Sequence, residues 1–272
     1  MNMYKREMKA HWKGFVIWLV VMAAMVAVCM NKFTAGTGSA SGSMTEIIDQ
    51  MPAVLHNLFG IGVFDLNKAL DYYGMVFLYI ALLAAVHAAM LGASMLSKEE
   101  RDKTIEFLAV KPVTRGAIIT AKLCAGLTVA VGLNLITLVT SLALVGQYQS
   151  GSEVTNGILA LMAGMFGIQL IFLSVGTVCA ACMKKGTRAG MLSMVIMLVT
   201  FFLSILIQLA GNIDFMKVLS PFEYFDAKEI LKGGTVAGIN AFSVWYLVLT
   251  VAVIASCLVC SYVFYKRRDY KI

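Results

Sequence analysis

Charge is absent from six stretches of this chain: residues 14–31, 72–97, 123–152, 154–183, 189–213 and 233–265. Each approaches or exceeds the roughly 20 residues a helix needs to cross the hydrocarbon core of a bilayer. Barrel strands are shorter, about 10 residues, and alternate in polarity, which these stretches do not. The pattern predicts an all-α integral membrane protein, one transmembrane domain over residues 1–272 with no separate soluble domain. Its six transmembrane helices fall at approximately 14–31, 73–96, 123–147, 158–182, 189–210 and 243–265. The first stretch has the length of a retained span, and Cys29-Met30-Asn31 offers no clean small-x-small cleavage site, so it is not read as a signal peptide.

Composition agrees with this class. The chain of 272 residues is 60% hydrophobic and 14% charged, whereas soluble domains are nearer half and a quarter. The net charge of +7 is a topological signal. Seventeen of the 22 Lys and Arg lie in alternate segments, namely the first 13 residues, 98–122, 184–188 and 266–271. By the positive-inside bias, both termini are expected in the cytoplasm. No basic stripe is interleaved with exposed aromatics, so the expected partner is the lipid bilayer and not nucleic acid.

Six cysteines, Cys29, Cys124, Cys179, Cys182, Cys257 and Cys260, fall within or beside the spans. Their placement argues against a disulfide framework. The two C-x-x-C pairs sit in apolar helices and not in the turns of a zinc ribbon. They are read as small packing residues, and no metal is expected.

Polar positions then mark the connections. In residues 2–13, Tyr4, Met8 and Trp12 share one helical face and Lys5, Arg6, Lys9 and Lys13 occupy the rest. This spacing predicts an amphipathic interfacial helix on the cytoplasmic leaflet. The 32–71 connection opens with a Gly/Ser-rich run and then reads as a short amphipathic helix capped by Thr45. The second span carries a stripe of small residues, Ala81, Ala85, Ala89 and Ala93, which predicts close packing against another helix. His87 lies near its middle. With Asn134, Gln169 and Gln208 it makes up the candidate pathway or helix-packing polar residues. For His87 the blander reading is a neutral imidazole bonded to a neighbouring helix. Ser220-Pro221-Phe222-Glu223-Tyr224-Phe225-Asp226 reads as a short re-entrant or interfacial element before the last span.

One block breaks the apolar pattern. Residues 97–122, SKEERDKTIEFLAVKPVTRGAIITAK, hold ten charged side chains between spans two and three. Ser97 and Glu100 match a capping box, and Glu99 and Lys103 an i,i+4 pair. Pro112 disfavours helix at its predecessor, and Thr114 can cap the helix that follows. The block therefore predicts a short cytoplasmic helix, a proline turn and a re-entering helix.

Glu99-Glu100, Thr104-Ile105-Glu106-Phe107-Leu108, Lys111-Pro112-Val113-Thr114-Arg115 and Lys122-Leu123 resemble the pattern of the type-2 ATP-binding-cassette (ABC) permeases. In that family an acidic pair precedes T-(L/I)-E-x-L, then P-V-(S/T)-R, then a Lys opening the third span. The Ser-Pro-Phe stretch before the last span matches as well, and Lys103 departs from the family, where many members have glycine. The resemblance implies that the block is a coupling helix docking on a separate ATPase subunit. Its contact residues would be Glu99, Glu100, Arg101, Lys103, Glu106, Phe107, Pro112 and Arg115. It also implies an ABC ATPase dimer and a second permease subunit, identical or related, as partners, with ATP and Mg on the ATPase and no cofactor on this chain. Function would be that of the membrane-spanning subunit of an exporter in a bacterial cell membrane.

No G-x-x-x-x-G-K-[S/T] loop is present, so the chain is not expected to be an ATPase or otherwise an enzyme. An embedded enzyme would need clustered ionisable groups at depth, and a channel would need a filter or a charged ring. The alternative reading is a non-transporting sensor or immunity-type protein that binds a peptide or lipid at its outer segments.

Overall fold

The computed structural model describes residues 3–39, 64–65, 67–101, 114–183, 186–210, 214–232 and 243–267. The long helices are α1 Met3–Ser39, α2 Ala69–Arg101, α3 Arg115–Gly146, α4 Ser152–Cys182 and α5 Gly186–Ala210. Two 3-10 turns follow, Asp214–Leu219 and Glu223–Phe225, then the short α6 Ala227–Lys232 and finally α7 Val244–Arg267. Among the described residues, six helices are long and apolar enough to cross a membrane. Backbone groups in lipid must be satisfied within the chain, and uninterrupted helices do this.

The layout has two ends. Tyr4 meets Thr128, Glu7 meets Lys122, and Arg115 meets Lys266 at one end, called the base. Phe33, Tyr72 and Tyr148 pack together at the opposite end, where the Leu70 amide donates to Gln149. Met3 and Arg267, the first and last described residues, lie toward the base.

α2 and α4 share the largest interface and form the core. Ala81, Ala84, Ala85, Ala88, Ala89 and Ala93 are all buried. At the crossing the two backbones touch. A Cβ on Gly92 would collide with the Leu173 carbonyl, and one on Gly176 would lie 2.5 Å from the Ala89 carbonyl oxygen. Ser193 of α5 donates to the same Ala89 carbonyl at 3.2 Å. In lipid, helices associate by such close packing and hydrogen bonding, because bilayer tails remove most of the hydrophobic drive. The outer faces of α1, α5 and α7 accordingly stay apolar and exposed, with Ile17, Met191 and Val251 as examples.

Residues 214–232 turn back into the bundle. Ser220 donates to the Thr200 carbonyl at 2.9 Å. Phe222 packs on Phe172 and Phe201, each at 5.4 Å between ring centroids. Phe225 fills the space left by Gly164 and Gly167. The stretch thus packs against α4 and α5 inside the bundle.

Two expectations are corrected. Residues 2–13 do not form a separate interfacial helix, because α1 is continuous from Met3 to Ser39. No proline interrupts it, and its inward face carries Glu7, with Tyr4, Met8 and His11 half-buried, while Trp12 is 56% exposed. Ser97 is not a helix cap. α2 runs on to Arg101, and the Ser97 hydroxyl bonds back to the Ala93 carbonyl at 2.7 Å. Serine inside a helix does this when the preceding turn is already formed. The expected coupling helix and the Thr45-capped helix lie outside the described residues.

Candidate functional site

At the base, the chain leaves α2 at Arg101 and returns at Thr114. Glu99, Glu100 and Arg101 form the last turn of α2, and Lys103, Glu106, Phe107 and Pro112 lie outside the described residues. The return is built as the spacing predicts: Thr114 accepts from the Ala117 amide at 3.3 Å and caps α3. Arg115 Nη1 then donates to the Lys266 carbonyl at 2.9 Å, joining the start of α3 to the end of α7.

Two turns further along α3, Lys122 is buried, only 1% exposed. Its Nζ donates to the Met95 carbonyl of α2 at 2.5 Å and lies 3.6 Å from Glu7 Oε2 of α1. Glu7 is 3% exposed and its Oε1 accepts from Arg6 at 3.1 Å. Moving either charge out of water alone is costly, so each is held by the other and by a polar neighbour. The node ties three helices together directly behind the points where residues 102–113 depart and return. His11 lies one turn beyond Glu7, with a buried Nε2 that finds no hydrogen-bond partner.

Lys122 was marked by the family pattern, but Glu7 was missed as a site residue. Its signal was present, as the one acidic residue in the first 45 positions. An acid kept within a basic segment is worth matching to a buried base.

A second polar node sits on the re-entrant segment. Glu223 Oε1 accepts from Ser204 Oγ at 2.5 Å and from Gln208 Nε2 at 3.1 Å, both on α5. Gln208 Oε1 in turn accepts from Lys228 Nζ at 3.2 Å. Burial raises the Glu223 carboxyl above its ordinary range, against the pull of its hydrogen bonds to Ser204 and Gln208. Asp226 adds to the rise and Lys217 opposes it. Tyr224 stacks on Tyr246 of α7 at 5.2 Å and donates to the Val218 carbonyl. Gln208 was expected as a pathway residue, whereas the carboxylate it serves was not.

The remaining expected polar residues lie apart. Asn134 donates to the Met162 carbonyl at 3.0 Å, bridging α3 and α4. His87 packs its ring against Trp18 of α1 at 5.2 Å, and its Nδ1 has no partner, so the expected bond from that atom to a neighbouring helix is not made. Gln169 is fully buried with neither amide atom bonded. No hydrogen bond joins any two of His87, Asn134, Gln169 and Gln208. None of the six cysteines forms a disulfide, and among the described residues no cluster of potential metal ligands forms.

A family model described as ABC-2 family transporter protein matches residues 1–270. No curated protein matches the chain.

Proposed function

The chain belongs to the ABC-2 family of transporter proteins, as a multi-pass membrane permease component, and on that premise we propose that it is the membrane-spanning subunit of an ATP-driven exporter. Members of such transporters work with an ABC ATPase. In this reading the base faces the cytoplasm of a bacterial cell, in keeping with the Lys and Arg bias. Residues 102–113 form the coupling helix on the ATPase, with Glu99, Glu100, Arg101, Lys103, Glu106, Phe107, Pro112 and Arg115 at or near the contact. Two permease subunits, identical or related, enclose the path. The chain binds no nucleotide, and ATP with Mg stays on the ATPase.

The observation that carries the coupling role is the buried Lys122 node. Lys122 grips the Met95 carbonyl and lies against Glu7, so α2 and α3 cannot shift at the base without drawing α1 along. Arg115 passes the same displacement to α7 through the Lys266 carbonyl. A push on the segment between α2 and α3 thus reaches four helices. Packed interfaces of this kind move as units and not by gradual bending.

The test is charge reversal in the intact complex. With the partner ATPase co-expressed, Glu100→Lys or Arg115→Glu is expected either to lose the copurifying ATPase or to retain ATP hydrolysis with flux reduced at least tenfold. An unchanged complex with unchanged flux would overturn the coupling role.

A further inference from the structure

We infer that Glu223 is a proton-binding site inside the bundle, and that its bound proton keeps residues 214–232 seated against α4 and α5. The site follows from depth and from the character of its neighbours. Phe222, the preceding residue, rests on Phe172 and Phe201. At 1.5 Å per residue, each of these rings lies roughly 15 Å along its helix from the nearer end. Glu223 is 6% exposed at that level. A carboxylate so deep in a membrane bundle demands a charged partner, a neutralising proton or water.

The hydrogen-bond partners of its carboxyl group are neutral. Both atoms bonded to Glu223 Oε1 belong to uncharged side chains, Ser204 and Gln208. No salt bridge reaches Glu223 among the described residues. From α4 the segment meets Gly164, Gly167 and Phe172. α2 contributes Tyr79 to the adjoining cavity, and α7 contributes Tyr246 through Tyr224. The charged groups are Lys228 of α6, which bonds the far side of the Gln208 amide, and Asp226 and Lys217 on the segment itself. The Ser204 hydroxyl can donate to a carboxylate or accept from a carboxylic acid, so one geometry serves both forms.

The step is a simple exchange: the carboxyl O–H bond breaks, the proton passes to water, and a carboxylate remains. A cavity of about 30 Å³, lined by Phe222, Phe225, Asp226, Gln208 and Lys228 among others, lies beside the site. It has room for a water molecule. The sign follows from burial, which raises the seated carboxyl. The seated segment therefore holds the proton more tightly than the unseated one. Seating is complete below the ordinary carboxylate range and weakens as pH rises through the raised value.

The experiment uses the full chain in lipid nanodiscs and needs no ATPase, so its outcome is separate from the coupling role. Infrared difference spectra are recorded across a pH titration. The expected result is a protonated-carboxyl band that persists above the range where exposed carboxylates ionise and that is missing in Glu223→Gln. Ser204→Ala, which removes a bond favouring the charged form, moves its midpoint upward. In a chain with the six native cysteines changed to alanine, Ser220→Cys is then labelled with a water-soluble maleimide. Labelling is expected to rise several-fold with the same midpoint, and to stay low at all pH values once Glu223→Gln is added. Absence of a Glu223-dependent band would overturn the site. A band with labelling indifferent to pH would overturn the seating role. Should Glu223→Gln fail to fold, the Ser204→Ala shift of the band decides the first point.

Discussion

Removing the Glu7 carboxylate should destabilise the protein more than its place near the amino terminus implies. Glu7→Gln takes the Glu7 carboxylate from beside Lys122, which is 1% exposed and bonded to the Met95 carbonyl. Breaking a buried ion pair by deleting one partner costs about 3–5 kcal/mol. For chains of 150–250 residues each kcal/mol shifts the melting point by about 2–4 °C, so the expected fall is about 6–20 °C. Lys122→Met should cost less, because Glu7 keeps its 3.1 Å bond to Arg6, whose side chain is 42% exposed. The double variant Glu7→Leu/Lys122→Met removes both charges and fills the space with apolar atoms. Such replacements are often neutral or stabilising by about 1–4 kcal/mol, so the double variant should melt above Glu7→Gln. The assay is the fraction of solubilised protein that stays monodisperse after heating, read across temperature for all four proteins. Losses that add in the double variant would show that the two charges do not act as a pair, and the base node would then not bind α1 to α2 and α3.

Other consequences follow from close packing and buried bonds. Gly92→Val should abolish monodisperse protein, since its Cβ would occupy the position of the Leu173 carbonyl. Gly14→Ala meets nothing within 4 Å and should raise the melting point by about 2–4 °C, from a propensity gain of about 1 kcal/mol. Tyr73→Phe strands Ser141, bonded to the Tyr73 hydroxyl at 2.7 Å in the interior, and should cost about 1–3 kcal/mol. Adding Ser141→Ala should recover most of that loss in the same heating assay.

The charge-free stretches announced six long helices, but the helices run beyond them, since Asp71, Lys98 and Arg115 ride on helical turns outside the apolar core. The stripe Ala81–Ala93 predicted a helix face packed on protein, yet the partner, Gly176 of α4, could not be named from spacing. Ser97 misled because S-x-x-E has the same letters at a helix start and inside a continuing helix. Which one applies depends on whether the previous turn is already hydrogen-bonded. Ser220 to Asp226 carried the aromatic and charged signature of a membrane interface but enters the bundle, drawn in by the space at Gly164 and Gly167.

The division has a physical cause. Span number, helix type and the alternation of basic segments are local properties, because each helix satisfies its own backbone and each flank meets the interface by itself. These the sequence determined alone. The pairing of Glu7 with Lys122, the seating of Glu223 against Ser204 and Gln208, and the Gly92–Gly176 crossing each join residues on different helices. A buried charge shows in a sequence only as a charge. Its partner is chosen by how the helices pack, and that choice belongs to the tertiary structure.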